Sequence, residues 1–374
     1  MNPTITNLSE ENNNLTFRIS GVNVSFANAL RRIILSEVPC VVMKAAPYET
    51  STIDITTNTT RMNNELLKQR ISCIPVHISD TTAPIENFVI EVDKTNEGDV
   101  IDYVTTEDIK IKDKTTDKYL SRGQVQAIFP PNPITGDYID IARLRPRISA
   151  ELEGEQLTFN ATFDIGFAKQ DGAYNVVSTC CYQNTPDPDQ ISRAWAEVEK
   201  KLVEEGKSAE IIEFEKKDFY YLQAQKLYVS DSFDFIVETV GQFTNMDLVY
   251  KAVDVMLNKL TLFKKAIQTN PEIISATNTT LDNGFDVKLI GEDYTLGKAI
   301  EYVLYNNYFH RLNDTKPLNF CGFRKPHPHI DESLIRIGFK ESTEKSVALS
   351  ILLEAAKQVE KVFQTIGEDF KPTE

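Results

Sequence analysis

Two apolar periodicities run along this chain, and each occurs twice. In "GVNVSFANALRRIIL", residues 21–35, the residues Phe26, Ala29, Leu30, Ile33 and Ile34 return at helical spacing, and Ser25 stands where a helix cap is expected. In "GEDYTLGKAIEYVLY", residues 291–305, Leu296, Ala299, Ile300, Val303 and Leu304 do the same in ungapped register, with Gly291 opposite Gly21 and Thr295 opposite Ser25. Each segment follows a short run that alternates apolar and polar residues, "LTFRIS" and "FDVKLI", which predicts a strand. A second correspondence lies further on. Val249, Ala252, Val253, Met256, Leu260, Phe263 and Ile267 share one face of a long predicted helix. Ala348, Ile351, Leu352, Ala355, Val359, Val362 and Ile366 share a face of another at the same spacings. Strand-like alternation precedes both, as "FDFIVETV" and "SLIRIGF".

The spacing between the matched helices indicates an insertion. Leu296 to Ala348 covers 52 positions, Phe26 to Val249 covers 223, and the difference of 171 is the size of a domain. The insertion is placed at 48–224. It is rich in strand patterns ("TIDITT", "FVIEVD", "YIDIARL", "LTFNATFDIGF") and in turn signals such as "PPNPITGD". One helix is expected in it around "SRAWAEVEKKLVEEG", with Trp195, Val198 and Leu202 on one face. The charge run "EKKLVEEGKSAEIIEFEKK" is expected to be a solvated helix followed by an exposed strand edge. The organisation that follows is α+β. A first unit occupies 1–47 and 225–270 and is interrupted by a β-rich insert at 48–224. A linker covers 271–284, and a second unit covers 285–374. A helix with one apolar stripe must bury it against something, and pairing of the related units about a pseudo-twofold axis meets that need.

Composition narrows the functions. Among 374 residues the formal net charge is −15, which disfavours autonomous binding of duplex DNA, because phosphate neutralisation drives that affinity. The five cysteines, Cys40, Cys73, Cys180, Cys181 and Cys321, form no CxxC pair and no disulfide framework. Cys180 and Cys181 are expected to be a buried pair on a strand. The start of the chain has no signal-peptide pattern and no stretch has membrane-spanning length, so no membrane association is expected; the chain also lacks a basic targeting run, so a cytoplasmic setting is expected, or a nuclear one if the chain is cellular. His327 and His329 in "KPHPHIDE" lack a Cys or further His at ligand spacing, and a zinc site needs three or four protein ligands, so no metal is expected there. The chain has no GxSxG, P-loop, HExxH or dinucleotide fingerprint, which leaves a two-domain hydrolase or transferase without a recognisable site. A nucleic-acid-binding adaptor remains the other alternative.

Five segments carry a family resemblance. "FANALRRIILSEVPCVVM" (26–43) and "TTNTTRMNNELLKQRISCIPVHI" (56–78) resemble two motifs of the larger α-like subunit of DNA-directed RNA polymerase, and "DIGFAKQDGAYNVVSTCCY" (164–182) is a weaker match to a third. "GEDYTLGKAIEYVL" with "FCGFRKPHP" (320–328) resembles the smaller α-like partner, although Tyr294 and Lys298 stand where that partner usually has His and Asn. In order, this looks like a fusion of the two partners, similar to the arrangement in polymerases of large cytoplasmic DNA viruses. The resemblance implies an assembly platform without catalytic residues or cofactors, and no zinc, because the cysteine-rich loop of cellular relatives has no counterpart here. It also implies that two large catalytic subunits and small accessory subunits dock on the chain, that DNA is met only through the complex, and that the chain does not form homo-oligomers. On the resemblance, Asn28, Arg31, Arg32, Glu65 and Arg70 are the large-subunit contacts. Phe26, Leu30 and Ile33 are expected to face Leu296, Ile300 and Val303 across the internal interface.

Overall fold

A computed structural model of the chain describes residues 1–149, 153–309 and 315–371. Its elements begin with β1 (Thr4–Glu11), β2 (Asn14–Ser20) and α1 (Val24–Ser36). There follow β3 (Cys40–Val42), β4 (Ile53–Asn58), α2 (Asn64–Ser72), β5 (Phe88–Thr95), β6 (Asp102–Thr105), β7 (Lys110–Asp113), β8 (Lys118–Tyr119), α3 (Arg122–Ile128), β9 (Asp140–Leu144), β10 (Gln156–Thr162) and β11 (Asp164–Gly166). The chain continues with β12 (Val177–Pro186), α4 (Pro188–Glu204), α5 (Ala209–Asp218), β13 (Tyr228–Thr239) and α6 (Asn245–Thr269). It closes with β14 (Ile274–Ala276), β15 (Gly284–Ile290), α7 (Tyr294–Tyr308), β16 (Leu318–Arg324), β17 (Glu332–Phe339) and α8 (Lys345–Glu368).

The chain divides into two compact units. One holds residues 1–34, 179–238 and 245–374, and so contains both copies of the repeat. The other holds residues 35–178 and 239–244.

In the first unit the repeat is reproduced strand for strand. One sheet has the order β1-β2-β13-β12 and the other β14-β15-β17-β16. In each, the strand before the short helix pairs antiparallel with the strand before the long helix: β2 with β13, from Asn14↔Glu238 to Ser20↔Ser232, and β15 with β17, from Gly284↔Gly338 to Ile290↔Glu332. Alternation gives each sheet one apolar face. Leu15, Phe17, Ile19, Phe233, Phe235 and Val237 are buried in the first, and Val287, Leu289, Ile335, Ile337 and Phe339 in the second. A bidentate ion pair crosses the strands of each sheet, Arg18–Asp234 with its shortest contact at 2.6 Å and Arg336–Asp286 likewise at 2.6 Å.

The turn into the short helix is also repeated. Gly21 has φ +76° and Gly291 has φ +72°, a conformation in which a Cβ is strained. The cap lies two residues before the expected Ser25. Asn23 Oδ1 accepts the Ser25 backbone N–H at 3.0 Å, and Asp293 Oδ1 accepts that of Thr295 at 2.9 Å, so the two Asx residues, not the hydroxyl residues, start the helices. Alanine in place of either glycine is expected to destabilise by about 1–2 kcal/mol through φ alone. Gly21→Ala should cost more, because its Cβ would lie 2.5 Å from the Asn2 carbonyl oxygen while the one at Gly291 meets nothing within 4 Å. Equal shifts in thermal unfolding for the two variants would contradict this.

The β-rich unit is smaller than the interval 48–224. It is built on the five-stranded sheet β4-β10-β5-β7-β8 and two small ladders, β11-β3 and β6-β9. Its core includes Leu67, Ile71, Ile90, Ile111, Leu144, Leu157 and Phe159. Residues 179–224 belong with the repeat, because β12 completes the sheet beside β13. Alternation marks β12 as a strand without saying which sheet it joins. The charge run forms two helices, α4 and α5, and no strand edge, with Trp195 and Phe219 as the small core between them. The linker 271–284 contains β14, which pairs with β15 as β1 pairs with β2.

Candidate subunit interface

The apolar stripes of α6, α7 and α8 pack together inside the first unit, and Phe26 brings α1 against α7 and α8. Phe26, Leu30, Ile33, Ile300 and Val303 are each 0% exposed and Leu296 is 1% exposed. All fourteen residues assigned above to the faces of the two long helices are buried, and α8 packs along both α6 and α7. The Phe26 ring meets Tyr302 edge-on at 6.0 Å and Phe363 at 5.9 Å. Beyond α8, Phe370 lies edge-on to Phe17 of β2 at 4.9 Å, so a residue from the second copy closes the core of the first sheet.

Polar contacts reinforce this seam. Arg32 Nη2 donates to Asp293 Oδ2 at 2.8 Å and its Nε donates to Thr295 Oγ1 at 2.9 Å. The guanidinium thus clasps the first turn of α7, and the pseudo-equivalent of Arg32, Tyr302, packs on Phe26 in the first turn of α1. This exchange of like positions is what a pseudo-twofold interface produces. Lys259 Nζ lies 3.0 Å from Glu292, and Lys264 Nζ lies 2.8 Å from Glu360. These four residues and Asp293 were not singled out from the sequence. The available signal was charge at the margin of the apolar stripe: Lys259 and Lys264 flank Leu260 and Phe263, and Glu360 follows Val359.

The expected outward contacts separate into different environments. Arg32 is committed to the seam, so the side chain expected to meet a large subunit is already bonded within the chain. Arg31 and Asn28 point elsewhere. Arg31 Nε and Nη2 donate to Asn28 Oδ1 at 3.2 and 2.9 Å, and among the described residues the half-buried guanidinium has no carboxylate partner. It lies near β12, where its charge pulls down the Cys180 and Tyr182 pKa values against the stronger effect of burial, which raises both, Cys180 to about 12. The equivalent positions of α7 are Lys298 and Glu301, which neutralise each other at 2.5 Å, and Glu301 also accepts the Phe323 N–H at 3.1 Å. Among the described residues, one copy therefore presents a cation with no carboxylate partner where the other presents a closed pair.

In the β-rich unit, Glu65 and Arg70 do not meet. Arg70 Nε and Nη2 donate to the carbonyls of Ile141 and Asp140 at 2.9 and 2.8 Å, tying α2 to β9. Exposed Glu65 lines a cavity of about 580 Å³ together with Tyr48, Asp54 and Lys68. Cys180 is buried but Cys181 is exposed, because neighbours on a strand point to opposite faces. The His327 and His329 rings lie 5.0 Å apart, and among the described residues no group of three or more His, Cys, Asp or Glu is placed to hold a metal. No described helix is long and apolar enough to cross a membrane.

Comparison with known proteins agrees with the doubled architecture. Models described as the RNA polymerase Rpb3/Rpb11 dimerisation domain match residues 16–260 and 285–369. The chain is 24% identical over 283 residues to DNA-directed RNA polymerase subunit Rpo3 of Pyrococcus furiosus, covering 70% of this chain and 95% of that one. It is 24% identical over 295 residues to DNA-directed RNA polymerases I and III subunit RPAC1 of Homo sapiens, covering 68% and 81%. It is also 35% identical over 83 residues to the probable subunit RPAC2 of Caenorhabditis briggsae, covering 22% and 50%. With two matching segments, two sheets of one strand order and a shared helical seam, the chain belongs to the RNA polymerase Rpb3/Rpb11 dimerisation-domain family, as a tandem fusion of two α-like subunits.

Proposed function

We propose that this chain is the non-catalytic assembly platform of a multisubunit DNA-directed RNA polymerase, holding the two large catalytic subunits together for transcription. The observation that carries the reading is the internal seam. The surfaces that α-like partners use on each other are consumed within one polypeptide, so the chain is a completed pair whose remaining surfaces are free for other subunits. Asn28 and Arg31 form the outward contact for one large subunit, supported by a half-buried guanidinium that no carboxylate of the described chain answers. Arginine suits such a contact because its planar fork can take two oxygens at once. Glu65, on the rim of the cavity in the β-rich unit, is a second contact, and small accessory subunits complete the assembly.

DNA is met only through the complex, in keeping with the net charge of −15. The chain uses no cofactor and no zinc. Fusion of both partners in one chain supports a setting in the transcription apparatus of a large cytoplasmic DNA virus, in the viral factory or the virion; a cellular chain would instead act in the nucleus. The test is a tagged pull-down from the native source with mass spectrometry of the recovered proteins. Two large polymerase subunits in stoichiometric amounts are expected, and their absence would overturn the reading. Light scattering on the isolated chain should give a monomer, and a stable homodimer would count against an internally satisfied pair.

A further inference from the structure

Three ion pairs cross the seam among the described residues, and all have the same sense. Arg32, Lys259 and Lys264 belong to the first copy, and their partners Asp293, Glu292 and Glu360 belong to the second. We propose that these six residues form a pairing code that admits only a second-type half against a first-type half, and rejects like against like. The repeat register shows why. Arg32 corresponds to Tyr302 and Asp293 to Asn23; Lys259 corresponds to Gln358 and Glu292 to Val22; Lys264 corresponds to Phe363 and Glu360 to Thr261. Two first-type halves brought together in the same geometry would therefore set Arg32 against Asn23, Lys259 against Val22 and Lys264 against Thr261. Two second-type halves would set Asp293 against Tyr302, Glu292 against Gln358 and Glu360 against Phe363. No opposite charge is available in either case.

The side chains of these residues are only 15–33% exposed, so a charge that loses its partner there is also held partly away from water. The apolar stripes of the two copies are alike and would tolerate either pairing. The charged margins supply the discrimination, in the way that flanking charges choose partners in coiled coils. The occupant that fits the first half is thus the second half of the same chain, and the only other partner the code accepts is the second half of another copy.

Full-length variants test this. A triple-acid variant (Arg32→Glu, Lys259→Glu, Lys264→Glu) and a triple-base variant (Glu292→Lys, Asp293→Lys, Glu360→Lys) each face like with like inside their own chain. Each should unfold roughly 5–10 °C below the parent at low salt, and gain on raising the salt. The sixfold variant, which inverts the code, should recover most of that loss. Refolded together, the acid and base variants should form a one-to-one crossed dimer by native mass spectrometry, because crossing restores one native and one inverted seam. Should the triple variants fail to fold singly, recovery of the soluble mixed pair on co-expression supports the code equally. The smaller cycle Lys264→Glu, Glu360→Lys and the two combined gives the same readout in smaller steps. Triple variants as stable as the parent, or combined variants no more stable than the partial ones, would overturn the proposal.

Discussion

Aspartate at Leu30 and at Ile300 together should abolish soluble expression of this protein. Both side chains are 0% exposed, and both lie on the apolar stripes that close the seam. An unpaired charge held in such a site costs about 3–5 kcal/mol, and the lost aliphatic packing adds about 2–5 kcal/mol at each position. The sum for two sites reaches or exceeds the roughly 5–15 kcal/mol by which an ordinary domain is stable. Leu30→Met and Ile300→Val keep the stripe apolar and should cost only about 1 kcal/mol each, which separates charging the seam from merely disturbing it. Soluble yield and thermal unfolding of the three variants make the comparison. A doubly charged variant that folds normally would mean that these stripes do not face a common core.

The two adjacent arginines should fail in opposite ways. Arg31→Glu is expected to leave the unfolding midpoint within about 2 °C of the parent, since its partner Asn28 is a local neighbour on a half-buried helix face. It should nevertheless stop co-purification of the large subunits, because placing a carboxylate where an interface expects a cation costs about 2–5 kcal/mol of binding, a factor of roughly 30 to several thousand. Arg32→Glu should do the reverse. It sets a carboxylate beside Asp293 in the first turn of α7 and should lower the midpoint by about 3–5 °C, while whatever chain remains folded still recovers the large subunits. Unchanged recovery with Arg31→Glu would remove that residue from the contact. Loss of recovery with Arg32→Glu at a temperature where the chain is fully folded would show that the seam and the outward face act as one.

These two residues mark how far the sequence could be read. Side by side and both off the apolar stripe of α1, they look equivalent in one dimension. Their roles part only when α7 arrives with Asp293 and Thr295 within reach of one guanidinium and not the other. Glu65 and Arg70 are a similar case. They share a helix and a motif, yet Arg70 is drawn to two carbonyls of β9, a strand about seventy residues away in the chain.

What the sequence determined by itself was the duplication. The glycines at 21 and 291, the strands before each helix, and the apolar faces of all four helices are local periodicities, and a periodicity survives in one dimension because each residue's face is set by its neighbours along the chain. The tertiary structure decided the ownership of β12 and of the helical pair α4–α5, the existence of β14 inside an apparent linker, and the partner of every charged side chain at the seam. Strand membership and ion pairing depend on which distant segment comes alongside, and the energy that settles them is gained only after the loops between those segments have closed.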